Sequence, residues 1–251
     1  MSDPSRPAPM TNFDVGASLT RDAHPCEGTG SDPQDLLPDD RAWGSRTPPT
    51  QPVMTAALPV SVPPQAGESI ESWLEHLADA NGLTTAQLLA AAGRGRAGTR
   101  YLTLAPSPET IARLASLARI DEDRVYAATL ASFDGTALNL TGLDPTDRHS
   151  YRQVAARGWT PAHGTQICPA CLADTGTWKV AWRLLLVTAC IDHGIVLVAE
   201  CPGCGRPFRD QRHSHLRSVG ATPVCGNPLG QGPLRQCQHD LTTLPAQPAT
   251  P

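Results

Sequence analysis

Seven of the eight cysteines fall between residues 168 and 237, and their spacing is that of metal ligands. Cys168-x2-Cys171, Cys190-x2-His193 and Cys201-x2-Cys204 form three paired units, and Cys225 and Cys237 bring the set to eight soft donors. A C-x2-C turn aims two thiolates at a point about 2.3 Å away, and zinc takes four such ligands in a tetrahedron. The count therefore predicts two structural Zn2+ ions. Proline and glycine stand where tight turns need them, in Cys168-Pro-Ala-Cys171 and Cys201-Pro-Gly-Cys204-Gly205. Spacing leaves the pairing open between a sequential arrangement and an interleaved cross-brace. The sequential one is favoured because residues 195–199 read as a short strand leading straight from the first site into the second. His213, His215 and His239 are possible substitutes in the second site and read more simply as surface histidines. Cys26 stands apart as a non-ligand.

Other cysteine chemistries fit less well. Disulfides belong to exported proteins, and no charged n-region with an apolar h-region precedes the body of the chain. No stretch approaches the roughly 20 apolar residues of a membrane span, so a soluble cytoplasmic protein without membrane attachment is expected. A redox motif would explain one C-x2-C but not three paired units. Catalytic zinc keeps an open position near a carboxylate base, and neither H-E-x-x-H nor H-x-E pairing is present. An acidic metal-binding triad and a phosphate-binding loop are also missing, and the expectation is that the protein is not an enzyme. A structural zinc site contributes roughly 10–16 kcal/mol to folding. That matters in a chain that is only 4% aromatic.

The surrounding chain divides by composition. Residues 1–53 hold nine prolines and eight acidic against four basic side chains, with no apolar periodicity, and read as a disordered acidic tail. Met54 offers an alternative translation start. Residues 54–145 read as a helical region, residues 146–240 as a two-zinc region, and residues 241–251 as a disordered C-terminal tail. The formal charge of the whole chain is -4. The tail accounts for all of it, leaving a neutral body whose helical region is acidic and whose cysteine region is basic. Any nucleic-acid binding must then rest on local arginine clusters.

Elements that could position these groups follow from periodicity. Ile70, Trp73, Leu74 and Leu77 make one helical stripe, ended by Asn81-Gly82. Thr84 and Gln87 have capping-box spacing ahead of Leu88-Leu89, and Gly93 closes that helix. Ser107-Pro108 starts a third helix carrying Ile111, Leu114 and Leu117, and Asp121 a fourth carrying Val125. Residues 178–187 are apolar enough for a buried helix whose tryptophans pack beside the first zinc site. Arg183 within it is expected to pair locally. The expected fold class is mainly α with small zinc-stapled β elements: an N-terminal helix-turn-helix-like helical region and C-terminal zinc-ribbon-like modules. Short helices with tight turns suit DNA binding. Arg94, Arg96 and Arg100, on a glycine-rich loop after the second helix, are the candidate phosphate contacts, with Arg206, Arg209, Arg212 and Arg217 extending the track.

Several of these segments together resemble one family. Leu58-Pro59-Val60, Gly67-Glu68-Ser69, Ser72-Trp73-Leu74 and Ala80-Asn81-Gly82-Leu83 look like the opening of TniQ-type transposition proteins. Ile167-Cys168-Pro169-Ala170-Cys171-Leu172-Ala173, Trp178, Trp182-Arg183-Leu184, Cys190, His193-Gly194 and Cys201-Pro202-Gly203-Cys204-Gly205 look like that family's zinc region. The likeness covers roughly residues 55–240. It implies a role in choosing transposition targets, linking DNA or a target-finding partner, including an RNA-guided complex, to an AAA+ ATPase regulator. A homodimer is a further expectation. By the same resemblance Cys168, Cys171, Cys190, His193, Cys201 and Cys204 carry over directly as ligands. Cys225 and Cys237 fit more loosely, since a long Pro- and Gly-containing insertion separates them. Two other readings use the same parts: a helix-turn-helix transcriptional regulator, and a protein-interaction scaffold without direct DNA contact.

Overall fold

Local capping starts the helices where the sequence places them. A computed structural model describes residues 57–93, 101–144, 147, 149–156, 164–210, 216–230 and 235–249. All of these belong to one compact unit, Gln51–Pro251. The expected tail, residues 1–53, lies outside the described residues. Helix α1 (Ile70–Ala80) begins at Ser69, whose hydroxyl accepts from the Ser72 N–H. It ends at Asn81, whose amide nitrogen donates to the Leu77 carbonyl at 2.8 Å and to that of Val60 at 3.0 Å, tying the incoming chain to the helix end. Helix α2 (Thr85–Ala91) opens on the predicted capping box, with Thr84 and Gln87 each satisfying the other's backbone N–H. Helix α3 (Pro108–Ala118) starts from Ser107 with Pro108 in its first turn, and α4 (Glu122–Ala127) follows Asp121.

These four helices share one core of Ile70, Trp73, Leu74, Leu77, Leu88, Leu114 and Val125. Trp73 is fully buried, and its indole N–H donates to the Val62 carbonyl at 2.7 Å. Helices α5 (Ser150–Ala155) and α6 (Pro169–Thr175) lie beyond them in the chain. Two small antiparallel hairpins follow. In the first, β1 (Ala189–Cys190) pairs with β2 (Ile195–Val196), Cys190 opposite Ile195. In the second, β3 (Glu200–Cys201) pairs with β4 (Arg206–Pro207), Cys201 opposite Arg206. The fold is mainly helical with small antiparallel strand pairs.

Three expectations need correction. Residues 178–187 do not form an α-helix; they contain one 3-10 turn, Val180–Arg183. The cause is long-range pairing: the Ser69 N–H donates to the Trp178 carbonyl at 2.7 Å, and the Val180 N–H donates to the Gly67 carbonyl at 2.9 Å. Groups committed to that bridge cannot enter a helical ladder. The C-terminal stretch is packed, not a disordered tail. Leu241 and Leu244 are buried, and the Val196 and Ala249 N–H groups bond the carbonyls of Gln247 and Gly194, both at 2.8 Å. Residues 195–199 are not one strand of a single ladder, since β2 ends at Val196 and Val198 pairs instead with Ile167.

The helical and cysteine-bearing regions also share their interior. Leu104 and Leu130 pack in one cluster with Val154, Val180 and Leu184. Helix α1 is buried on two sides, so Glu71 and Glu75, each 1% exposed, sit inside the protein. Arg183 bonds Glu71 through Nε at 2.7 Å and through Nη2, and its Nη1 donates to the Gly164 carbonyl at 2.7 Å. Arg209 grips both Glu75 oxygens at 2.8 and 2.9 Å. Arg217 donates to Glu75 from its backbone N–H at 2.9 Å, from Nε at 3.1 Å and from Nη2 at 2.8 Å. Both guanidinium groups also face the Trp178 ring, 4.3 and 5.0 Å from its centroid. Burial alone would raise the Glu75 carboxyl, but Arg209 and Arg217 outweigh it and hold the group below its ordinary range.

Two outcomes are expected. Trp73→Ala should lower stability by about 3–5 kcal/mol in urea unfolding, because it empties the shared core. A depressed Glu75 stabilises the fold fully above the unfolded glutamate pKa of about 4.3, and that contribution is lost as pH falls through the folded value. Stability should therefore drop on acidification in this window, and Glu75→Gln should flatten that part of the pH profile.

Candidate metal centres

The eight donors fall into two groups. Cys168, Cys171, Cys190 and His193 form one, and Cys201, Cys204, Cys225 and Cys237 the other, with the ligand atoms of each group within 4.8 Å of one another. This is the sequential grouping, not the cross-brace. The local fold explains how each pair is aimed. Cys168 caps α6: its sulfur accepts from the Cys171 N–H at 3.4 Å, and Pro169 occupies the first turn, so both thiols leave one helix end together. Cys190 and Cys201 each end a short strand and enter the same kind of turn. The Gly194 N–H returns to the Cys190 carbonyl at 2.9 Å, and the Gly205 N–H to that of Cys201 at 2.7 Å. Both glycines have positive φ, +62° and +64°, which a residue with a Cβ adopts only with strain.

The distances test whether a metal fits. A tetrahedral zinc with Zn–S of about 2.3 Å and Zn–N of about 2.0–2.1 Å requires S···S edges near 3.8 Å and S···N edges near 3.6 Å. In the first group Cys171 and Cys190 sulfurs are 3.6 Å apart, and His193 Nδ1 lies 3.5, 3.3 and 3.6 Å from Cys168, Cys171 and Cys190. In the second, Cys201 and Cys237 are 3.8 Å apart and Cys204 and Cys225 3.9 Å. The two groups fit zinc and are compatible with it as the bound ion. None of the seven described cysteines is in a disulfide.

The surroundings of the ligands are built to match. His193 Nε2 is 3.0 Å from Asp174 Oδ2, an arrangement that directs Nδ1 to the sulfurs. Hydrogen bonding to Cys190 and then to Asp174 raises the His193 pKa. Burial, reinforced by neighbouring sulfurs, pushes the Cys171 and Cys225 thiols up. A cation is what lets such crowded thiols ionise together. In the second group the Asn227 amide donates to the Cys204 sulfur at 3.6 Å and to the Pro207 carbonyl at 3.0 Å. His239 is not a member. Its ring crosses Gly203, where a Cβ would come within 2.9 Å of it. Trp178 and Trp182 pack in one cluster with cysteines of both groups, Cys168, Cys171 and Cys190 of the first and Cys201, Cys225 and Cys237 of the second.

Two of the seven arginines expected on a phosphate track, Arg209 and Arg217, are placed elsewhere. Arg94, Arg96, Arg100 and Arg212 lie outside the described residues. Arg206 is exposed, with Nη1 on the Pro228 carbonyl at 2.5 Å. Arg209 and Arg217 are buried on Glu75, which removes them from any surface that could meet DNA. They belong inside because both guanidinium groups find the Glu75 carboxylate there and Arg217 finds carbonyl acceptors as well, and an exposed position would leave Glu75 unpaired. Arg183 is paired inside the protein, but with Glu71, 112 residues away, and not with the local partner expected. Sequence reasoning missed Glu71, Glu75, Asp174 and Asn227. Only the opposed charges of the two regions hinted at the first two.

A family model described as TniQ matches residues 59–197, more than half of the 251 residues. The matched stretch contains helices α1–α6 and the whole first group of ligands; the second group follows it. No curated protein is significantly similar to the chain.

Metal analysis of the purified protein should return two zinc ions per chain. Asp174→Asn should weaken the ion held by His193 about 10–100-fold in a chelator competition, with the other ion unaffected.

Proposed function

The chain belongs to the TniQ family, and from that premise we propose that it is a non-catalytic, zinc-containing DNA-binding adaptor in transposition target-site selection. In this reading it joins target DNA, or a target-finding complex such as an RNA-guided one, to an AAA+ ATPase regulator. Cutting and ATP hydrolysis belong to those partners. The observation that carries the reading is the family match, joined to two ligand groups with zinc-like spacing. Cys168, Cys171, Cys190 and His193 would hold one ion, and Cys201, Cys204, Cys225 and Cys237 the other. Zinc supplies no reaction here; it neutralises thiolates and fixes four chain positions at one point.

DNA contact in this proposal rests on the helical region. Arg94, Arg96 and Arg100 follow α2 directly, and Arg206 and Arg212 extend the surface from the second ligand group. Arg209 and Arg217 take no part. No described helix is long and apolar enough to cross a membrane. The working location is the cytoplasm, where the DNA and its partners are.

One observation favours the scaffold reading as an alternative. Leu185, Leu186 and Ile191, on and just before the first hairpin, are 57%, 68% and 96% exposed. Apolar side chains so placed suit protein docking more than phosphate binding. Salt dependence separates the two. For the adaptor, the logarithm of duplex affinity falls linearly with the logarithm of salt, and replacing Arg94, Arg96 and Arg100 by alanine makes the slope shallower by about 3. A scaffold would keep its pull-down of the ATPase and show no such change in DNA binding.

A further inference from the structure

Each ligand group closes a segment of chain that reaches across to α1. Residues 172–189 run between Cys171 and Cys190 and carry Arg183, seated on Glu71. Residues 205–224 run between Cys204 and Cys225 and carry Arg209 and Arg217, both seated on Glu75. Glu71 and Glu75 are one helical turn apart on α1. One helix therefore holds one carboxylate for each metal-closed segment. From this juxtaposition we infer that α1 couples to both metal sites with opposite preference, Glu71 chiefly supporting the first and Glu75 the second, with Trp178 of the first segment as the wall that the Arg209 and Arg217 groups of the second also meet.

The links are short. In the second site, Arg217 Nη1 donates to the Val224 carbonyl at 2.6 Å, and Val224 directly precedes the ligand Cys225. The same nitrogen donates to the Thr222 carbonyl at 3.0 Å, and Nη2 to that of Gly220 at 2.8 Å. Beyond the ligand, Gly226 packs so tightly that a Cβ would meet Val219 at 2.7 Å and Arg217 at 3.4 Å. The Arg217 guanidinium thus ties the approach to Cys225 to a carboxylate on α1. In the first site, Arg183 holds the Gly164 carbonyl, and the neighbouring Trp182 carbonyl accepts from the Gln166 N–H at 3.2 Å, two residues ahead of Cys168. Trp182 itself lies in the buried cluster that holds cysteines of both groups.

Thermodynamic linkage makes the coupling reciprocal. Loss of one ion loosens the segment that presents its arginine and leaves its glutamate buried without that partner. Conversely, neutralising one glutamate weakens chiefly the metal whose segment it holds, and the other less, through the shared Trp178 wall. The inference depends on metal occupancy and not on DNA contact, so the two can fail separately.

The test uses the full chain loaded with 113Cd. A site of three thiolates and one imidazole resonates apart from a site of four thiolates, so each ion is followed alone during titration with EDTA. Glu71→Gln should lower the affinity of the Cys168, Cys171, Cys190 and His193 site at least tenfold, and that of the other site several-fold less. Glu75→Gln should do the reverse. Where a glutamine variant does not fold, Arg183→Lys and Arg217→Lys keep the charge, lose the fork and should give the same crossed pattern. Equal weakening of both sites, no weakening of either, or wild-type protein lacking two resonances would overturn the inference.

Discussion

A carboxylate in a protein interior must be paired or neutralised, and helix α1 carries two such groups, one turn apart. Arg183 on Glu71, and Arg209 with Arg217 on Glu75, meet that requirement with several directed hydrogen bonds each. The pairs add little net stability over an apolar interior, but removing one partner costs about 3–5 kcal/mol. Their strength lies in geometry. Each arginine must stand at one place relative to α1, so the segments that carry them are held in register with the helical core. Trp178 contributes a flat wall, with the Arg209 and Arg217 guanidinium groups over its ring and Phe208 set edge-on against it.

With metal bound, ligation and ion pairing would constrain the same segments from opposite ends. The hairpins are two residues per strand, too short to hold their own register in water. Two sets of four ligands fix the ends of the loops, and the buried arginines fix their middles. The last described residues close the first hairpin by pairing with Gly194 and Val196. A region with few aromatic residues thus replaces the larger core it lacks with directed bonds.

The helices were legible in the sequence because their signals are local. Capping at Ser69, Thr84 and Ser107 and the stripe from Ile70 to Leu77 need no knowledge of the rest of the chain. Six of the eight donors were legible for the same reason, since their x2 spacing encodes a turn, while Cys225 and Cys237 followed only from the count of four donors per ion. What the sequence concealed was long-range. Glu71 and Glu75 flank the apolar stripe of α1 and look like a solvated helix face until a second layer covers them. The bridge from Gly67 and Ser69 to Trp178 and Val180 turned an apolar run from helix to extended chain. Charge opposition between the acidic and basic regions carried the missing information. It reads as a surface property, whereas part of it is complementarity across an interior.

This changes where a TniQ-family protein of this sequence keeps its positive charge. Two of the arginines available to a phosphate track are spent inside, and the metal-bearing region is joined to the helical region as one cooperative body, not hung from it as a separate module. Hydrogen exchange of the α1 amides, from Trp73 to Leu77, tests that claim most directly. After chelation of both metals, the account predicts that these amides lose protection together with those of the hairpins. Retention of full α1 protection while the cysteine region exchanges freely would contradict it, because the helical region would then be folding on its own.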